Sequence, residues 1–376
     1  MAMPEEMRVS EGPVPITGRR LTLPEDPIFH LHRADQSDYE IGEFRAWAGY
    51  KNLGSDAATE DLAHFQHVLS FAGTEAAGRT GIHAHLAHAH IILPTSGRGV
   101  FSYDGVVTEA SAGAVIVQHG GTIHDQFEYS FAAASEADNR RTPQAVEPPA
   151  AGAPAASFGF LELFVPKTFA NVEIVPPQEV TASDQRTAWD HPYHTPGARF
   201  FIQRPDAPGA AYRPMAGRPD LEVRDAQTWE PTGGLVATWI IRPASGTPGG
   251  ETAAEPSVPG EAGGVQILYM VGGSATLHPA GGAAVRLGPG DTLTCSDGSP
   301  GELAECSPDM RLLKFYIAAK AQRLRERTPD EIRRLEALGP GIVTRYEVRP
   351  EGDTRPVNLF QDGSKASAAP AVELVK

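Results

Sequence analysis

The sequence is poor in the features that mark several large classes of protein. Only two cysteines, Cys295 and Cys306, occur in 376 residues, too few for a disulfide framework. No apolar run approaches the length that a membrane-spanning helix needs. The start, MAMPEEMRVS, lacks the basic and then apolar segment of a secretory signal. We therefore expect a cytoplasmic protein that does not enter a membrane.

Basic residues are scarce as well. Lys and Arg number 32 against 47 Asp and Glu, which gives a formal net charge of -15. The average field of such a chain repels polyanions, so nucleic acid is not an expected partner. The chain is nevertheless 41% hydrophobic and long enough to bury one large core or two of ordinary size.

Glycine and proline are abundant, with 39 and 33 residues, and they favour frequent turns over long helices. From Phe65 to Phe131, short apolar or alternating runs are separated by turns that contain glycine. A second block of the same character extends from Leu235 to Ala318. The pattern predicts an all-β protein with antiparallel strands.

Breaks in this pattern predict the domain organisation. Residues 132–157 are small, polar and proline-rich, so we expect a flexible insertion there. A few short helices are expected, mainly near the C terminus. The predicted units are an N-terminal arm (1–40), a first barrel (41–180), a second barrel (181–318), and a C-terminal helical segment and tail (319–376).

Histidines crowd into the first barrel. Eight of the 13 histidines lie between residues 64 and 124. In the run GIHAHLAHAHIIL, His83 and His85 project from one face of a strand, because strand side chains alternate. His124 lies on a later strand and is a natural further donor. Neutral imidazole binds iron, nickel, copper and zinc, so the spacing predicts a mononuclear metal site.

The histidine-rich segment resembles the first motif of the cupins, a superfamily of β-barrel proteins. That motif runs G, five residues, H-x-H, three or four residues, E, six residues, G. His83 and His85 fill the H-x-H, His90 stands at the glutamate position, and Gly97 follows six residues later. The leading glycine, Gly78, comes one place late.

The second cupin motif runs G, five residues, P-x-G, two residues, H. Gly113, Gly121 and His124 fall at these intervals, and His119 replaces the proline. The departure from the family pattern is therefore a missing carboxylate and a replaced proline. The metal ligands that the resemblance implies are His83, His85, His90 and His124.

Four neutral donors would leave a divalent ion its full formal charge, so the centre should attract anions. Alternatively His90 points away and leaves three histidines, or His88 replaces it, and the spacing does not separate these arrangements. Fe(II) is the metal we expect first, with nickel, manganese, zinc and copper as alternatives.

The later block repeats the cupin outline without its ligands. Gln266 stands at the glutamate position, and Gly301 occupies the place of the final histidine. The resemblance thus implies two cupin-type barrels, each a double-stranded β-helix or jelly roll, of which the second is degenerate. We expect the second barrel to support folding or a homodimer.

Bicupins with one metal-bearing half include gentisate and quercetin dioxygenases. The resemblance therefore implies a mononuclear metal-dependent dioxygenase that uses O2 on an aromatic or enolisable small molecule, bound to the metal as an anion. A non-redox metal-dependent lyase, isomerase or decarboxylase is one alternative, and a non-catalytic protein that binds a metal or small molecule is another. Candidate catalytic groups are Glu128 and Tyr103, followed by Asp125 and Gln126.

Overall fold

The computed structural model of the chain consists almost entirely of antiparallel strands. Two short helical elements occur in its described residues, α1 (Ser55–Ala58) and a 3-10 helix at Ala319–Arg323. The structure describes residues 28–41, 48–71, 80–85, 87–103, 106–119, 122–130, 156–167, 171–175, 200–207, 209–244, 263–279, 283–296 and 301–323.

The structure describes twenty-two strands. The first thirteen are β1 (Phe29–His32), β2 (Glu40–Ile41), β3 (Ala48–Asn52), β4 (His64–Phe71), β5 (Ile82–His85), β6 (Ala89–Ser96), β7 (Arg98–Tyr103), β8 (Val106–Ser111), β9 (Val115–His119), β10 (Ile123–Ser130), β11 (Ala156–Val165), β12 (Asn171–Val175) and β13 (Phe200–Gln203). The remaining nine are β14 (Arg213–Met215), β15 (Arg218–Asp225), β16 (Val236–Pro243), β17 (Val265–Gly272), β18 (Ala275–His278), β19 (Val285–Leu287), β20 (Thr292–Ser296), β21 (Glu302–Ala304) and β22 (Arg311–Ile317).

The first barrel is a sandwich of two sheets. Its larger sheet has the order β13-β9-β6-β11-β4-β3-β2, and its smaller sheet has the order β12-β5-β10-β7-β8. Side chains of both sheets meet in one apolar cluster that includes Ile92, Phe101, Ile116 and Phe158. Because strand side chains alternate, every second residue of β4, β6 and β11 faces this interior.

The second barrel repeats the arrangement. Its larger sheet has the order β1-β20-β17-β22-β16-β15-β14, which matches the larger sheet of the first barrel strand for strand. Its smaller sheet, β19-β18-β21, packs Leu277 against Leu268 and Leu312 of the larger one. The all-β class and the two β-barrel units predicted from the sequence are confirmed.

In each larger sheet, one edge strand comes from a part of the chain that is separate from the other strands of that barrel. β1, within the predicted N-terminal arm, pairs with β20 of the second barrel, and the Ile28 backbone NH donates to Ser296 Oγ at 2.8 Å. β13 pairs with β9 of the first barrel. The proposed division of the chain at residues 180 and 181 stays a prediction, because those residues lie outside the described ranges.

A shared core joins the two barrels. Phe65 of β4 contacts the rings of Tyr269 and Phe315, with centroids 5.5 and 5.2 Å apart and edge-to-face geometry. Leu161 and Leu163 of β11 belong to the same cluster and are fully or almost fully buried. The central strands of both larger sheets therefore bury one face here and the other face inside their own barrel.

Two features predicted from the sequence lie mostly outside the described residues. The predicted flexible insertion falls mostly in residues 131–155, and the predicted C-terminal helical segment falls mostly in residues 324–376. Among the described helices, none is long and apolar enough to cross a membrane.

Removing the Phe65 ring should weaken the contact between the barrels. Phe65→Ala deletes a fully buried aromatic ring, so we expect the free energy of unfolding to fall by about 3–5 kcal/mol. Phe29→Ala is the control, since Phe29 is 43% exposed and its loss should change stability by less than about 0.5 kcal/mol. Urea titration of both variants measures this, and equal shifts would contradict the assignment of the shared core.

Candidate metal centre

Three histidines converge inside the first barrel. His83 and His85 are alternate residues of β5, and His124 of β10 lies directly opposite His83 in the ladder. One ligand atom from each of the three imidazoles lies within 4.8 Å of the others. All three side chains are buried or nearly so. The two-residue spacing on β5 and the register with β10 are what aim the rings at one point.

Backbone carbonyls hold two of these rings in a defined tautomer. His83 Nδ1 donates to the Gly81 carbonyl at 2.7 Å, and His124 Nδ1 donates to the Thr122 carbonyl at 2.9 Å. In the neutral form the Nε2 atoms are then unprotonated, which is the state that binds a divalent ion. Such outer hydrogen bonds are typical of metal-ligating histidines. The residues present therefore fit a divalent metal.

His90 lies beside this group rather than within it. Its ring is 4.7 Å from that of His85, edge to face, and it stacks on Phe164 at 4.0 Å. Both ring nitrogens are buried and make no hydrogen bond to the described residues. His88 is half-buried and is not among the converging donors. The structure thus brings together three of the four predicted ligands, and the four-ligand set stays a prediction.

A carboxylate that the sequence interpretation missed lies next to His90. Glu162 is on β11, on the interior face with Phe160 and Phe164, and is 8% exposed. Its Oε1 atom is 3.3 Å from His90 Nε2, in close contact but without hydrogen-bond geometry. Gln66 Nε2 donates to the other oxygen, Oε2, at 2.6 Å. The missing acidic group of the first motif is therefore present nearby, from a different strand.

Glu162 is the inner end of a polar chain that continues through β4. His64 lies between Gln66 Oε1 (3.1 Å) and Asp56 Oδ2 (3.3 Å), and Lys167 Nζ donates to Asp56 Oδ2 at 2.8 Å. Each His64 ring nitrogen therefore lies next to a side-chain oxygen. Burial alone would raise the pKa of Asp56, but hydrogen bonds from His64 and Lys167 hold it far below its usual value.

The orientation of the Gln66 amide follows from this chain. The amide nitrogen must face the Glu162 carboxylate and the amide oxygen must face His64, because the reverse would place two acceptor oxygens in contact. The polar chain then runs from Lys167 through Asp56, His64 and Gln66 to Glu162. The sequence did contain a signal, since Glu162 interrupts the apolar run FGFLELFVP at a position that alternation turns inward.

Of the two predicted catalytic residues, Tyr103 and Glu128, the structure describes the side chain of Tyr103 alone. Tyr103 is fully buried, with its ring 5.9 Å from that of His124 and stacked on Phe101 and Phe200. Burial raises the pKa of its phenol far above the usual value, so Tyr103 is neutral. The backbone of Glu128 lies in β10 after an irregularity in the ladder, and its side chain is outside the described part. Catalytic roles for both stay predictions.

The other two candidates, Asp125 and Gln126, are adjacent on β10 and therefore point to opposite faces of the strand. Asp125 accepts a hydrogen bond from Thr80 Oγ1 at 3.2 Å, which ties β10 to the segment before β5. Gln126 is two residues after His124 on β10 and therefore shares its inward face. The Gln126 Nε2 atom is buried and makes no hydrogen bond among the described residues. Gln126 thus presents an unsatisfied donor to the interior that holds the histidines.

Comparison with known proteins gives structural neighbours only. No protein-family model matches the chain, and no curated protein matches it. Protein Ylba from E. coli is 11% identical, with 80% of this chain and 95% of that chain covered and a TM-score of 0.44. A mutant of Bacillus subtilis oxalate decarboxylase is 10% identical, with 77% of each chain covered and a TM-score of 0.43.

The bacterial pirin YhhW from E. coli, solved in complex with nickel(II), is 12% identical, with 77% of this chain and 99% of that chain covered and a TM-score of 0.38. Likeness at this level carries no argument about the metal, substrate or reaction of this chain.

Loss of a converging imidazole should abolish metal retention. In His83→Ala and His124→Ala, one of three donors disappears, so we expect metal content to fall from about one divalent ion per chain to near zero. His278→Ala is the control, because His278 is exposed on β18 of the second barrel. Elemental analysis of the dialysed proteins measures this, and full occupancy in both variants would overturn the assignment.

Neutralising Glu162 should weaken metal binding without abolishing it. In Glu162→Gln the carboxylate beside His90 is lost while the volume is kept, and removal of such an outer group lowers metal affinity by about 10–100-fold. The control is Glu109→Gln, since Glu109 is exposed on β8.

Titration with Co(II), followed by its visible absorption, measures both affinity and ligand field. We expect the Glu162→Gln spectrum to change and the Glu109→Gln spectrum to match the unmodified protein. Identical affinity and spectrum in all three proteins would show that Glu162 does not influence the centre.

Proposed function

We propose that the first barrel is the catalytic centre of a mononuclear metal-dependent dioxygenase for a small, anionic, aromatic or enolisable molecule. The observation that carries the proposal is the convergence of His83, His85 and His124 within a buried interior, with the tautomers of His83 and His124 fixed by backbone carbonyls. A solvated pair of surface histidines would need neither the burial nor the fixed tautomers.

Imidazole donors suit Fe(II), which is the first metal in the proposal, and also nickel, copper and zinc, with manganese as a further alternative. A divalent ion held there would polarise bound oxygen atoms and hold two reactants in reach of each other. Because the three converging donors are neutral, the centre would keep a positive charge and favour an anionic substrate. Glu162 lies beside His90 and offsets part of that charge.

The aromatic side chains near the histidines support the choice of a flat, apolar substrate. Aromatic side chains line the same face of the sandwich as the histidines, and they belong to one buried cluster or stack directly on a histidine. Gln126 supplies an amide NH on the inner face of β10, where it would donate to an oxygen of the substrate and orient it. The aromatic side chains in question are Phe101, Tyr103, Phe158, Phe160 and Phe164.

Glu162 favours a second candidate, a non-redox lyase, isomerase or decarboxylase. A buried carboxylate near the centre is a group that accepts or returns a proton during such reactions. Its hydrogen bond to Gln66 keeps it in place without neutralising it. The two candidates use the same ligands and differ in whether O2 is consumed.

Oxygen uptake separates the two candidates. Protein purified without oxygen and loaded with one equivalent of Fe(II) should consume O2 when given a phenolic acid, a flavonol or a diketone, and His124→Ala should not. Measurements use an oxygen electrode, with product analysis by NMR in parallel.

Turnover of the same panel without oxygen, in manganese, nickel or zinc protein, would instead establish the non-redox alternative. A protein that binds one metal ion tightly but converts no compound under either condition would contradict both candidates. That result would leave the non-catalytic binding protein as the function.

A further inference from the structure

The polar chain of the first barrel joins its surface to its interior. The outer end is partly exposed, and the inner end is buried beside His90. Each step is a contact of 2.6–3.3 Å between side chains, and the members in order are Lys167, Asp56, His64, Gln66 and Glu162. Because every step is direct, a change at the outer end is passed to the carboxylate at the inner end.

Asp56 anchors the outer half of the polar chain. Asn52 Nδ2 donates to its two carboxylate oxygens at 3.2 and 3.0 Å, and Lys167 Nζ donates to Oδ2 at 2.8 Å. The Asn52 amide is itself held in place, because its oxygen accepts a hydrogen bond from the Gly54 backbone NH at 2.8 Å. A carboxylate with several donors has a defined orientation. Asp56 therefore gives the His64 ring a fixed neighbour.

The register of β4 with β11 carries this order to the inner end. Gln66 lies directly opposite Glu162 in the ladder and donates to its Oε2 atom at 2.6 Å, while His64 lies opposite Phe164. Phe164 in turn stacks on the His90 ring, with centroids 4.0 Å apart. The His90 ring is thus bounded by an aromatic ring on one face and by the Glu162 carboxylate near its Nε2 atom.

Burial of a carboxylate at this position needs a reason beyond packing. Taking a carboxylate out of water is costly even when it is paired, and an apolar side chain of similar volume often stabilises a core as well. The neighbours of Glu162 on the interior face of β11, Phe160 and Phe164, are apolar. Its Oε1 atom instead lies next to His90, whose ring is 4.7 Å from that of His85. The carboxylate is therefore placed where it bears on the histidines.

We propose that Asp56 and Gln66 are positioning residues of the metal centre. Gln66 holds the Glu162 carboxylate against His90, and Asp56 keeps the outer half of the polar chain in the orientation that Gln66 needs. The His90 ring then stays beside the converging histidines. The inference rests on the proposed function only in taking those histidines to bind a divalent ion. Both residues act through the carboxylate and not on the ion.

Titration of the full chain with Co(II), followed by its visible absorption, tests the inference. In Gln66→Leu the amide between His64 and Glu162 is lost while the volume is nearly kept. We expect the Co(II) affinity to fall by about tenfold and the spectrum to shift toward that of Glu162→Gln. Asp56→Asn keeps the size of the side chain and removes its charge, so we expect a smaller change in the same direction.

Asp61→Asn is the matched control. Asp61 also pairs with Lys167, at 3.1 Å, but it lies outside the polar chain. Its backbone has a φ of 68°, in the left-handed region that asparagine adopts as readily as aspartate, so the substitution adds no strain. We expect the Co(II) affinity and spectrum of Asp61→Asn to match those of the unmodified protein.

A double variant separates positioning from a general loss of structure. If Gln66 acts through Glu162, then Gln66→Leu combined with Glu162→Gln should bind Co(II) as weakly as Glu162→Gln alone. Two unconnected structural effects would instead add. Urea titration of the metal-free proteins shows whether each variant is folded.

Three results would overturn the inference. The first is unchanged Co(II) affinity and spectrum in folded Gln66→Leu or, where that variant does not fold, in Asp56→Asn. The second is additivity in the double variant. The third is an equal effect of Asp56→Asn and Asp61→Asn, which would assign the change to the pairing of Lys167.

The readout also keeps this inference distinct from the proposed reaction. A protein that binds Co(II) with the expected dependence on Gln66 but consumes no O2 after loading with Fe(II) would contradict the dioxygenase and leave the positioning role standing. Failure of the unmodified protein to bind Co(II) would overturn both.

Discussion

The central strands of the two larger sheets are buried on both faces, and this double burial constrains the rest of the molecule. On β4 and β11, one set of alternate residues, including Phe65 and Leu163, packs into the core shared by the barrels. The other set carries Gln66 and Glu162 into the interior of the first barrel. A slip of β11 by one residue would exchange the two sets, placing the Glu162 carboxylate in the shared core and a leucine beside His90. The apolar contact between barrels therefore fixes which polar groups reach the histidines.

The sequence predicts those features whose residues lie close together in the chain, and it does not predict those whose residues are far apart. The H-x-H pair needs only the alternation of one strand, and His124 follows from a motif with a short turn. Glu162 reaches His90 through a strand pairing that no local pattern encodes, and its partner Gln66 is 96 positions away. The pairing of the edge strand β1 with β20 is harder still to predict, since Ile28 and Ser296 are 268 positions apart and β1 has only four residues. Local spacing thus predicts the donors, while their surroundings come from non-local pairing.

The two barrels show how one arrangement of strands accommodates opposite interior chemistry. His90 and Gln266 occupy matching places on β6 and β17, and Glu162 and Lys314 occupy matching places on β11 and β22. The smaller sheet of the second barrel has no described strand at the place of β5, which carries two of the three converging imidazoles in the first. The two barrels thus differ both in the imidazoles of the smaller sheet and in the charge on the central strand of the larger sheet.

The polar chain of the first barrel bears on the charge of the centre. Lys167 and His64 contact Asp56, and Glu162 follows after the neutral amide of Gln66. The end of this chain that lies beside His90 is therefore a carboxylate. A glutamate that ligated an ion directly would cancel one unit of charge at the ion itself, whereas a carboxylate beside a neighbouring imidazole would screen that charge less. In the proposed centre, a histidine at the glutamate position of the motif would therefore leave more positive charge for an anionic substrate, and Glu162 on β11 would reduce it only in part.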